Sequence, residues 1–144
     1  MTESTPMKKS GTTRVGVVGA GFIADFHLEV LSKTPGVEVV AICDTNERRA
    51  EETARQWNVG HTTDAIADLP ALGVVVVHLL TPPTTHAALT RQCLEAGLGV
   101  FVEKPLALTS GEARKLGELA EAKGLPVCVN HNAVHHPSFA PLLK

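Results

Sequence analysis

The sequence predicts an α/β fold: a doubly wound, mostly parallel sheet with helices on both faces. Three observations predict it. Short β-branched runs alternate with helix-forming segments along almost the whole chain. The most apolar run, residues 73–80 (GVVVVHLL), is uniformly apolar rather than alternating, as a strand buried on both faces reads. A glycine-rich turn sits between the first run and the first helical segment, where a βα unit needs a tight connection.

Taken in order, residues 13–18 (TRVGVV) form a strand, and residues 22–33 a helix with Ile23, Phe26, Val30 and Leu31 near one face. Residues 37–43 are a second strand. Residues 47–57 (ERRAEETARQW) are rich in helix formers and charged on one side. The weaker stretch 59–69 reads as a short strand and one helical turn. Residues 73–80 form the strongest strand, 85–96 a helix, 99–102 a strand, 110–123 a helix with a capping box from Thr109 to Glu112, and 126–130 a strand. The crossovers should be right-handed. Residues 131–144 read as a loop opening another helix, with little for Leu142 and Leu143 to pack on, which suggests a truncated protein.

With 144 residues, one domain can bury a core without disulfides or metals. A net charge of -2 argues against nucleic acid as a partner, and 3% aromatic content with no tyrosine argues against a base-stacking or carbohydrate-stacking surface. Cys43, Cys93 and Cys128 show neither a disulfide framework nor zinc-ligand spacing, so a reducing cytoplasm fits best. No apolar run is long enough to cross a bilayer, no signal segment opens the chain, and residues 1–12 read as a polar, disordered tail.

Gly19-Ala20-Gly21-Phe22-Ile23-Ala24 fits G-x-G-x-x-G/A directly after a strand and at the opening of a helix. Gly19 permits the turn, Gly21 lets the backbone approach a pyrophosphate, and Ala24 lets helix and strand pack closely. The free N–H groups around Phe22 and Ile23 face the same anion. Asp44 ends the second strand about 25 residues after Gly19, near the ~20-residue offset at which an acid binds the ribose hydroxyls of NAD. It would repel a 2′-phosphate, so NAD is favoured over NADP, although Arg48 and Arg49 are close by. The plainer alternative has Asp44 capping the helix that begins near Glu47. Either way, residues 13–130 read as a Rossmann-type dinucleotide-binding domain.

Three later segments add to this: Thr81-Pro82-Pro83-Thr84-Thr85-His86, Glu103-Lys104-Pro105, and residues 130–137. With the glycine turn and Asp44, they resemble the N-terminal half of the Gfo/Idh/MocA family, the glucose-fructose oxidoreductase and inositol dehydrogenase type. Both of the first two segments follow strand ends, where open α/β sheets bind ligands. Thr84 can cap the next helix.

The resemblance implies an NAD(P)-dependent oxidoreductase acting on a sugar, polyol or related hydroxyl or carbonyl compound, present here as its cofactor half. It implies that Thr81, Pro82, Pro83 and His86 run past the cofactor, that the Lys104-Pro105 bond is cis, and that Lys104 is the catalytic cation beside the nicotinamide. Glu103, counted with the cofactor-binding residues, is its orienting partner. Residues 131–144 would lead into a C-terminal substrate domain, and the full-length protein would be a homo-oligomer. Family members often carry arginine two residues after the Asn130 position, where this sequence has Asn132, leaving substrate class open. His131, His135 and His136 invite a metal, but Pro137 follows and no carboxylate or cysteine is near, so none is expected. The alternative function is a non-catalytic NAD(H)-sensing module, which would need the glycine turn and Asp44 but not Lys104.

Overall fold

The computed structural model describes residues 11–143; the first ten residues, within the expected tail, and the side chains of Leu142 and Leu143 lie outside what it describes. Strand and helix alternate as β1 (Thr13–Val18), α1 (Phe22–Ser32), β2 (Val37–Cys43), α2 (Glu47–Gln56), β3 (His61–Thr63), β4 (Val76–Leu79), α3 (His86–Glu95), β5 (Gly99–Glu103), α4 (Ser110–Lys123) and β6 (Val127–Asn130). The sheet order is β3-β2-β1-β4-β5-β6, and every neighbouring pair is parallel. The chain therefore reverses direction across the sheet between β1 and β4, and a crevice opens at the carboxyl ends of those two strands.

Each face has its own core. Leu28 and Leu31 of α1 and Ala50 and Ala54 of α2 pack with Val15, Val17 and Ile42 on one side. On the other, Cys93 and Leu94 of α3 and Ala120 of α4 pack with Val77, Leu79, Val100 and Val102. Among the described residues the first face has no helix beside β5 and β6, so it stays partly open there. No helix of the described residues is long and apolar enough to cross a membrane.

The structure corrects two readings of pattern. In α1 the buried residues are Ala24, Leu28 and Leu31, whereas Ile23, Phe26 and Val30 are 37%, 53% and 66% exposed. Close approach of the helix to β1 at the glycine turn puts small Ala24 against the sheet, and the larger side chains then rotate outward. The run 73–80 is a strand only over Val76–Leu79. Gly73, at φ 82°, closes a 3₁₀ turn, Val75 is 53% exposed, and burial alternates along β4 because its two faces differ in cover.

At helix ends, Thr109 accepts from the N–H of Glu112 at 3.2 Å, as the capping box requires. Thr84 caps nothing; Thr85 stands at the start of α3, and its hydroxyl donates instead to Thr81 Oγ1 or Pro82 O. The Lys104-Pro105 peptide bond is cis. His131, His135 and His136 lie on and beside a 3₁₀ turn, Asn132–His135, so a spacing of four does not stack them on one helical face.

Candidate functional site

The glycine turn shows why two glycines stand there for different reasons. Gly19 has φ +97°, and a Cβ on it would lie 2.9 Å from the Leu80 carbonyl carbon, so the fold itself demands glycine. Gly21 has φ −85°, open to any residue, and a Cβ on it would meet nothing within 4 Å. Its missing side chain leaves open space at the N-terminus of α1. No side chain caps that helix end, so its first N–H groups face the crevice.

Asp44, one residue beyond β2, is tied to this turn. Its Oδ2 accepts from the N–H of Ala20 at 2.8 Å and its Oδ1 from the N–H of Asn46 at 2.8 Å, with 9% of the side chain exposed. The capping role falls to Asn46, whose side chain accepts from the N–H of Arg49 at 3.0 Å. Arg49 reaches to 3.9 Å from Asp44, whereas Arg48 turns away to pair with Glu52.

These groups border a cleft of about 910 Å³ that runs over the ends of β1, β2 and β4. Of the residues singled out in the sequence, Gly19, Gly21, Phe22, Ile23, Asp44, Thr81 and Pro82 line it. Cys43 lines it too, but burial, helped by the Asp44 charge, pushes its thiol up to about 11, so it is no nucleophile near neutral pH.

Pro83, His86, Glu103 and Lys104 do not line the cleft. Pro83 opens an exposed 3₁₀ turn. His86 is turned inward and fully buried, its Nδ1 2.6 Å from Pro105 O and its Nε2 2.7 Å from Thr81 O. It braces two loops against each other and is 1% exposed. Lys104 is exposed one strand further along the sheet, and among the described residues its ammonium makes no ion pair.

Glu103 turns under α1, into a polar cluster on the open part of the sheet. Its Oε1 accepts from Asn130 Nδ2 at 2.6 Å and lies 2.8 Å from His27 Nε2. His27 Nδ1 lies 3.0 Å from His78 Nδ1, and the His78 ring stacks on Phe101 at 4.7 Å. Burial opposes the charge on Glu103, but the hydrogen bonds from Asn130 and His27, with the Lys104 backbone N–H, hold its carboxyl below the usual range. Sequence reasoning missed His27 altogether. The one available signal was His78, a polar residue interrupting the most apolar run.

Residues 13–131 match the family described as "Oxidoreductase family, NAD-binding Rossmann fold", the Gfo/Idh/MocA group. The chain belongs to that family. D-apiose dehydrogenase of Paraburkholderia graminis is 29% identical over 96% of this chain and 38% of its own length. Inositol 2-dehydrogenase 1 of Saccharopolyspora erythraea is 35% identical over 78% of this chain and 34% of its own. Among solved structures, GenD2 from gentamicin A biosynthesis in complex with NAD aligns with a TM-score of 0.84 and 34% identity, over 91% of this chain and 38% of GenD2. KijD10, a 3-ketoreductase from Actinomadura kijaniata in complex with NADP and TDP-benzene, aligns with a TM-score of 0.85 and 30% identity, over 92% of this chain and 41% of KijD10. The chain spans about 38% of the length of the first of these relatives.

As a Gfo/Idh/MocA Rossmann domain, the chain has the chemistry a dinucleotide needs. The open space at Gly21 is not required by protein packing, since a Cβ there touches nothing, and it adjoins uncapped N–H groups suited to a pyrophosphate. Asp44 stands at the far side of the turn, with its carboxylate bordering the cleft. The residues fit the cofactor.

Proposed function

We propose that this chain is the cofactor-binding half of an NAD-dependent oxidoreductase acting on a sugar, polyol or related hydroxyl or carbonyl compound. The observation that carries this reading is the ligand-sized opening at Gly21 beside the Asp44 carboxylate, at the point where the sheet changes direction. When bound, the nicotinamide supplies the hydride acceptor or donor.

The chain's own residues bind and orient. Gly21 and the N–H groups of Phe22 and Ile23 hold the pyrophosphate, Asp44 holds the adenosine ribose and repels a 2′-phosphate, and Thr81 and Pro82 form the rigid wall beyond. Lys104 supplies positive charge at the reacting end, where it stabilises a developing alkoxide or orients a substrate hydroxyl. Residues 13–130 form this unit, and residues 131–144 lead toward a substrate domain that relatives of greater length would share.

Calorimetric titration of the chain with NAD⁺ and NADP⁺ tests the reading, with tighter binding of NAD⁺ expected. Equal affinities sink the cofactor assignment, and no binding of either sinks the whole reading. NADH absorbance across inositols, hexoses and sugar acids should show no substantial turnover by the chain alone, because near-attack positioning, worth about 7–11 kcal/mol in favourable cases, needs both walls of the pocket.

A further inference from the structure

The cluster on the open sheet face has an order of protons that its geometry dictates. Glu103 Oε1 receives Asn130 Nδ2 at 2.6 Å and faces His27 Nε2 at 2.8 Å, so an ionised carboxylate requires the proton of His27 to sit on Nε2. In the neutral ring Nδ1 is then an acceptor, and the group opposite it, His78 Nδ1 at 3.0 Å, must be the donor. With His27 neutral, the chain of donation runs from His78 to His27 to Glu103. It resembles a carboxylate-oriented imidazole, except that the imidazole here orients the carboxylate.

The surroundings shield these contacts from solvent. The side chains of His27 and Glu103 are 11% and 18% exposed, too little for water to compete freely at either partner. His78 stacks on Phe101 and lies on β4, beside the strand that Glu103 ends. Burial first, then the His27 ring, push His78 down to about 4 against the opposing charge of Glu103, so it is a neutral donor near pH 7.

We propose that His27 is a positioning residue for Lys104: its Nε2–H holds the Glu103 carboxylate at the end of β5, fixing the backbone from which Lys104 departs, while His78 sets the tautomer of His27. The inference rests on the role given to Lys104 above. Glu103 immediately precedes Lys104, and its carboxylate is further served by the Lys104 backbone N–H. Glu103 and Lys104 share a peptide unit, so the tethers on the carboxylate bear on the backbone from which the lysine departs. Asn130 supplies the second tether, from β6, so α1, β5 and β6 meet at one oxygen's hydrogen bonds, and β4 joins them through His78 on His27. None of these side chains lines the cleft.

The test uses the 144-residue chain labelled for NMR, with NAD⁺ as the probe. In the unaltered chain His27 should show a slowly exchanging Nε2 proton, Glu103 should titrate below the ordinary carboxylate range, and NAD⁺ should shift the Lys104 ε-CH₂ resonance. His27→Leu should raise the Glu103 midpoint and abolish the Lys104 response while leaving NAD⁺ affinity within about twofold, since Asp44 and the glycine turn are separate from the cluster. His27→Gln should restore both signals, because its amide nitrogen can stand where Nε2 stood. His27→Asn should not, because its amide reaches only the Nδ1 position. Should His27→Leu fail to fold, the Gln and Asn variants decide the matter. Equal Glu103 titration in those two, or an Nδ1-protonated His27 in the unaltered chain, overturns the inference. Failure of the unaltered chain to bind NAD⁺ instead overturns the functional reading, and the Glu103 titration still reports on His27.

Discussion

The carboxylate of Asp44 accepts the backbone N–H of Ala20 at 2.8 Å, so the residue that follows β2 also fastens the glycine turn that follows β1. In the proposed reading, the residue that selects the cofactor is thereby also part of the cradle. Hydrogen bonds to a charged group contribute roughly 1.5–3 kcal/mol each, so Asp44→Ala should weaken NAD⁺ binding by about 10- to 100-fold. NADP⁺ should lose less, because the repulsion disappears and Arg49, 3.9 Å away, is released toward a 2′-phosphate. Calorimetry with both cofactors measures the gap. An unchanged NAD⁺ to NADP⁺ ratio would refute the ribose role.

The two glycines should separate fold from binding. Gly19→Ala puts a Cβ 2.9 Å from the Leu80 carbonyl carbon at φ +97° and should destabilise the chain by about 1–3 kcal/mol. Gly21→Val, at an ordinary φ and with nothing near its Cβ, should unfold close to the unaltered midpoint yet lose NAD⁺ affinity by at least about tenfold, or 1.4 kcal/mol. Urea unfolding and titration on the same samples give both numbers. A Gly21→Val chain that binds normally would show that the open space is not the pyrophosphate site.

His86→Ala should destabilise the chain by about 2–4 kcal/mol, since it removes a buried ring packed between the carbonyls of Thr81 and Pro105 and leaves at least one of them without its N–H donor. The loops on either side of the ring should loosen together. Hydrogen exchange should rise both after β4 and after β5. A change confined to one loop would mean that the ring does not brace them.

Acid should weaken the fold in a defined window. His78 is held at about 4, against an ordinary 6.5, by burial first and then by His27, with Glu103 opposing. Between about 4 and 6.5 the unfolded chain binds more protons at this position than the folded one, so stability rises with pH there and falls as pH drops through it. The contribution is at most about 3 kcal/mol. Glu103, whose carboxyl is held below its usual range by Asn130 and His27 despite burial, adds a loss of the same sign at lower pH. Urea unfolding at several pH values should show a slope that His78→Gln flattens. A flat profile in the unaltered chain would contradict the assignment.

Local pattern was enough for the alternation of strand and helix, the glycine turn at Gly19 and Gly21, the acid at Asp44 and the capping box at Thr109. Each depends on residues close in sequence or on a turn that only certain residues permit. Which face of α1 is buried was not legible, because Phe26 and Val30 satisfy helical period as well as Leu28 does. Only the close approach of α1 to β1 decided it. The tertiary structure alone turned His86 inward and assembled His27, His78, Glu103 and Asn130. Those contacts join residues 51, 76 and 27 positions apart. Parallel pairing with crossover helices brings such distant positions to one end of the sheet, and no local period encodes which side chains meet there.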